Sequence, residues 1–226
     1  MTDNSNPQIP SIEIPESHYL SSPAICYYHA PYNNWNSGNC HHQYILNLKN
    51  DWRGNSPTML QNAMRTLATI LLEEIPQIVA RTGATTLVTI PRSKAENTYS
   101  SDQLLFKETI SQVIQILNQR GHQPPLEDGT SYLIRHTNTK TTHRRHGQHP
   151  ELAGDGPLPH PGITAETCHI NPNVAGKKIL LIDDIYTPGV GIDDDAIQAL
   201  RDAGAHAVTL YALGKARGFS FSNSAF

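Results

Sequence analysis

Two adjacent acids, Asp183 and Asp184, follow the apolar run Ile179-Leu180-Leu181-Ile182, and the turn-forming stretch Thr187-Pro188-Gly189-Val190-Gly191 comes directly after. Paired carboxylates at a strand end can accept hydrogen bonds from a vicinal diol. A small glycine-containing turn lets backbone N–H groups and a helix N-terminus approach an anion. Diol followed by phosphate is the outline of a ribose 5-phosphate. A second polar group, Arg92-Ser93-Lys94, follows the β-branched segment Thr85 to Ile90. In open α/β sheets ligands sit outside the carboxyl ends of the strands, which is where both groups are expected.

The elements that must position them follow from periodicity. Residues 178–182 form a near-continuous apolar run, as in a central parallel strand covered on both faces. A helix over about 192–203 and a strand over 207–212 complete a strand–helix–strand unit. Leu60, Met64, Leu67, Leu71 and Ile75 recur at helical spacing, so 57–81 is a helix, with Pro76 expected to kink or end it. A second amphipathic helix is expected over about 101–120. Strands are expected at 85–90 and 132–134. Ile25 to Tyr28 and Tyr44 to Leu48 are rich in β-formers and predict two strands joined by a loop.

Residues 183 to 189 and the run before them resemble the phosphoribosyl pyrophosphate (PRPP) motif of type I phosphoribosyltransferases. That motif has an apolar run, two acids, an apolar residue, any residue, then Thr-Thr-Gly-any-Thr. Tyr44 to Lys49, the 57–81 helix, Val88 to Lys94 and the 207–212 strand occur in the order seen in the competence-protein-F-like branch, so the resemblance covers roughly residues 40–216. It implies a mostly parallel central sheet flanked by helices, with an N-terminal hairpin or hood and a long flexible loop. The expected organisation is an arm over 1–24, a phosphoribosyltransferase-like domain over 25–216 with the hood at 25–56 and the lid-like loop at 135–173, and a tail over 217–226.

The resemblance also implies roles. Asp183 and Asp184 would hold the ribose hydroxyls, and Mg²⁺ would arrive with PRPP. Thr187, Pro188, Gly189, Val190 and Gly191 would cradle the 5-phosphate. Arg92, Ser93 and Lys94 would take pyrophosphate, with Lys140, Arg144 and Arg145 of the lid. The reaction would be displacement of pyrophosphate from ribose C1 by a base nitrogen. Two departures stand out. Pro188 replaces the second Thr of the pattern, removing a backbone donor and a hydroxyl, and Gly191 replaces the last Thr. Asp193, Asp194 and Asp195 then favour the helix dipole but oppose a phosphate. An alternative function is therefore a catalytically degenerate ribose-phosphate sensor or regulatory partner in a bacterial competence or defence system, acting as a homodimer or through another protein.

Other chemistries are weaker. Lys and Arg number 17 against 20 Asp and Glu, so no global positive field recruits nucleic acid or an anionic membrane. No apolar run approaches the roughly 20 residues of a membrane span. Three cysteines (Cys26, Cys40, Cys168) without a Cys-x-x-Cys pair argue against a disulfide framework and against structural zinc, although His143, His146 and His149 are spaced by three and His41-His42 adjoin Cys40. These features and the polar N-terminus are read as a cytoplasmic protein. Tyr27, Tyr28, Tyr32 and Trp35 either stack a base or pack the N-terminal hairpin.

Overall fold

The computed structural model describes residues 8–32, 42–51, 54–139, 162–163 and 166–217. Eight strands and four α-helices are assigned in this region, together with short 3₁₀ turns. A six-stranded sheet has the order β1 (Ser11–Ile14), β2 (Ala24–Tyr32), β8 (Ala207–Ala216), β7 (Lys178–Tyr186), β3 (Thr86–Thr89), β4 (Glu127–Asp128). Every neighbouring pair is parallel except β1 with β2. The chain is thus α/β, with a mostly parallel sheet between helical layers.

One layer is α1 (Gln43–Lys49), α2 (Pro57–Thr82) and α3 (Leu105–Gln119), packed on Leu87, Leu180, Ile182, Tyr211 and Leu213. The other is α4 (Ile192–Asp202), packed on Val88, Ile179, Leu181, Leu210 and Ala212. Residues 179–182 are at most 1% exposed because alternate side chains enter the two cores. Each such burial contributes about 1.5–3 kcal/mol before entropy is counted. A separate antiparallel pair, β5 (Leu133–Arg135) with β6 (Cys168–Ile170), closes the second core. The expected strand at 132–134 is therefore present, and its partner lies inside the long polar stretch.

Three expectations are corrected. Residues 44–48 are helical: Tyr44, Ile45 and Leu48 fall on one face of α1 and are buried against α2, so packing overrides their β propensity. The expected N-terminal hairpin is instead β1 with β2, and 9–23 is no loose arm. Ile9, Ile14 and Leu20 are buried, and Pro10 and Pro15 merely bracket a four-residue edge strand. The helix expected over 57–81 is present as α2, which passes through Pro76 and runs to Thr82, with Ile75, Ile78 and Val79 buried around the missing backbone donor. Among the described residues, no helix is long and apolar enough to cross a membrane.

Candidate functional site

The chain crosses from β3 through α3 to β4 in one direction and from β7 through α4 to β8 in the other. The sheet therefore has its switch point between β3 and β7, the place where such sheets leave a crevice. Pairing of the two strands ends at Thr89 with Ile182, and the Ile90 N–H donates to the Ile182 carbonyl at 3.0 Å. β7 runs on to Tyr186, still paired with β8. Its last residues thus lie beyond the end of the β3–β7 pairing, on the side β3 has vacated.

Asp183 and Asp184 lie there, within the strand rather than after it. Successive residues of an extended strand point to opposite faces, and the two acids have different partners. Asp184 Oδ2 is 2.7 Å from Lys49 Nζ at the end of α1. Asp183 is hydrogen-bonded to Asp193 in the first turn of α4. They do not present one diol-binding edge. Past Asp184 the alternation breaks, Ile185 joining the first core and Tyr186 the second.

The electrostatics follow from these partners. Burial opposes the Lys49 charge, but Asp184, with Asp183 and Asp51, more than offsets it and holds the ammonium above its ordinary value. Asp183 is pushed up to about 7 by burial and then by Asp184, with Lys49 pulling the other way. Asp193 is 4% exposed, its Oδ1 has no hydrogen-bond partner, and burial and the Asp183 carboxyl hold it well above the carboxylate range. The two carboxyls are a proton-sharing pair.

The three acids of α4 hold three different segments. Asp193 meets β7. Asp194 Oδ2 accepts from Ser17 Oγ at 2.8 Å, and Asp195 Oδ2 accepts from the Ile163 N–H at 2.7 Å. Their run at the start of an amphipathic helix was the visible signal, but the spacing alone names no partner. Lys49 carried no signal beyond its place at the end of the segment.

Pro188 and Gly189 have a local explanation. The Val190 N–H donates to the Thr187 carbonyl at 3.2 Å, and Gly189 has φ +82°, the pattern of a type II turn with Pro at its second and Gly at its third position. Gly191 also has φ +82°, and a Cβ there would lie 2.7 Å from Tyr19 Cδ2. The ring of the N-terminal segment takes the space a threonine would fill. Gly191→Ala is expected to cost about 2 kcal/mol or more, from left-handed strain plus the clash, while Gly189→Ala, with nothing within 4 Å, costs about 1 kcal/mol. Thermal melts of both variants check this. Equal losses would mean that Tyr19 yields freely.

Arg92 is a staple. Its Nη1 donates to the carbonyls of Lys49 (2.7 Å) and Gln103 (2.8 Å), its Nη2 is paired with Asp51, and its guanidinium lies 4.3 Å from the Tyr99 ring centroid. The Ser93 carbonyl accepts from the Thr139 N–H at 2.8 Å, and Lys94 Nζ donates to the Thr139 carbonyl at 2.7 Å. Arg92, Lys49, Asp184 and the 187–191 turn are thus brought to one end of the sheet. Lys140, Arg144, Arg145, His143, His146, His149, Trp35, Cys40 and His41 lie outside the described residues. Tyr27 packs against the first core, and Lys215 Nζ lies 5.8 Å from the Tyr28 ring centroid.

No family model and no curated protein matches this chain. What the site can do is therefore argued from its own groups. It combines a tight Pro-Gly turn before a helix N-terminus, an ammonium paired with a carboxylate, and a pair of carboxyls raised above their ordinary range. Among the described residues, no group of three or more His, Cys, Asp or Glu is arranged to hold a metal ion. Asp184 is engaged by Lys49 and Asp183 by a second carboxyl, Asp193.

Proposed function

We propose that the crevice between β3 and β7 is a phosphoribosyltransferase-type site that binds PRPP or a related ribose phosphate. The observation that carries this reading is the juxtaposition, at the switch point of a parallel sheet, of the Pro188–Gly189 turn opening α4 with the acids of β7. The 5-phosphate would take the turn, and a ribose hydroxyl would face Asp184, the acid on the Lys49 side of β7. Lys49 would leave Asp184 for a phosphate oxygen. In transfer, the bond from ribose C1 to the pyrophosphate oxygen breaks and a bond to a base nitrogen forms. Mg²⁺ enters only as the counter-ion of the pyrophosphate.

A second reading, binding without transfer, is favoured by a specific observation: Lys49, Arg92, Asp183 and Asp194 each already have an internal partner. The protein would then report ribose-phosphate levels to a second copy or another protein. One experiment separates the readings. The chain is incubated with PRPP, Mg²⁺ and a panel of nitrogenous bases, pyrophosphate release is followed, and PRPP binding is measured by calorimetry. Release that disappears in Asp183→Asn/Asp184→Asn supports transfer. Binding without release supports the sensor. Neither binding nor release removes both.

A further inference from the structure

We propose that the cavity lined from the 90–94 loop, α3 and β5 is a binding site for a small organic carboxylate, with Arg135 as its anchor. Arg135 is 3% exposed, and its side chain lines this cavity. Its Nε donates to the Arg92 carbonyl at 2.8 Å and its Nη1 to the Gly162 carbonyl at 2.7 Å. A guanidinium has five N–H donors, so carbonyls satisfy only part of it. No carboxylate pairs with it among the described residues. The acid acting on it through space, Asp195, is already bonded to the Ile163 N–H. The other arginine of the lining, Arg92, is matched by Asp51, and Lys107 is matched by Glu96 at 2.8 Å. A buried charge is costly unless it is paired, and Arg135 lines the cavity with no carboxylate partner among the described residues.

The void measures about 40 Å³, and a water needs roughly 10–15 Å³ on this scale, so it has room for a carboxylate head. Together with the polar Lys94, Gln103 and the Lys107-paired Glu96, its lining includes the apolar side chains of Ile90, Leu104, Phe106 and Leu133. A carboxylate presents two coplanar oxygens to a guanidinium edge and leaves an apolar stem for these side chains. A phosphate would turn further charged oxygens toward the same wall. Because Arg135 also holds the Arg92 carbonyl, an occupant bears on the loop that carries Arg92 to the sheet end.

The test is calorimetric titration of the intact chain with benzoate, using benzyl alcohol and inorganic phosphate as comparisons. Saturable benzoate binding is expected, at least tenfold tighter than that of benzyl alcohol, and weakened at least tenfold in Arg135→Gln. Should that variant fail to fold, Leu104→Phe, at a half-buried position, fills the cavity with Arg135 intact and is expected to weaken benzoate to the same degree. Absence of saturable benzoate binding, or binding unchanged in the variants that fold, overturns the site. Phosphate binding in preference to benzoate overturns the carboxylate assignment. PRPP plays no part in the experiment, so its outcome is independent of the ribose-phosphate reading.

Discussion

Lys49→Met is expected to lower the melting temperature by about 4–8 °C. Breaking a buried ion pair by removing one partner costs about 3–5 kcal/mol because the other charge stays buried alone. The Lys49 and Asp184 side chains are 28% and 21% exposed, so water screens part of this and about 2 kcal/mol is expected. For a chain of this size each kcal/mol moves the midpoint by about 2–4 °C. The lost ammonium also removes the cation that holds Asp183 down, which pushes this acid further toward its neutral form. If the crevice takes a ribose phosphate, the same variant loses a charge-assisted contact of about 1.5–3 kcal/mol, a 10- to 100-fold weaker PRPP affinity. Calorimetric melting and PRPP titration read the two effects separately. An unchanged midpoint would mean that the Lys49–Asp184 pair contributes nothing to the fold, and unchanged PRPP affinity would remove Lys49 from the site.

Stability is expected to fall between pH 5 and pH 8, the reverse of the usual behaviour of carboxylates. Asp183 is raised to about 7 and Asp195 to about 6, both chiefly by burial, and burial also holds Asp193 well above the carboxylate range. In the unfolded chain all three titrate near 4. Between about pH 4 and pH 7 the folded state therefore binds more protons than the unfolded state, and stability decreases with pH across that window. The contribution is fully present near pH 4 and is lost as pH rises through the folded values. Asp193→Asn keeps the shape, removes one charge and supplies an amide donor to Asp183. It is expected to flatten the slope and to stabilise the protein at pH 8 by on the order of 1–3 kcal/mol. Urea unfolding at pH 5 and pH 8 checks both statements. A wild-type protein more stable at pH 8 than at pH 5, with an Asn variant weaker at both, would show that the pair carries its full charge.

Much of this architecture was legible in residue order. The apolar run at 179–182 names a central strand, because a short run of large apolar residues bounded by polar ones fits a strand covered on both faces. The i, i+4, i+7 spacing from Leu60 onward names α2, and Pro188–Gly189 names a turn. These signals are local: one element's period or one dipeptide's backbone preference suffices. Residues 44–48 failed for a physical reason, since a short Tyr-Ile-Leu segment suits either a strand or one helical face, and only α2 decides between them. The 9–23 segment failed likewise, as its apolar residues are few and become core only because β2 and α4 offer them a surface.

Residue types and spacing alone thus placed two acids and a tight bend at one end of a parallel sheet. Which face each acid takes, and what it meets there, was settled by tertiary structure. Asp184 joins Lys49 because α1 folds over one face, Asp183 joins Asp193 because α4 covers the other, and Gly191 is small because Tyr19 arrives from 172 residues away in the chain. Such pairings depend on which surfaces come together in space, and a linear pattern does not carry that information.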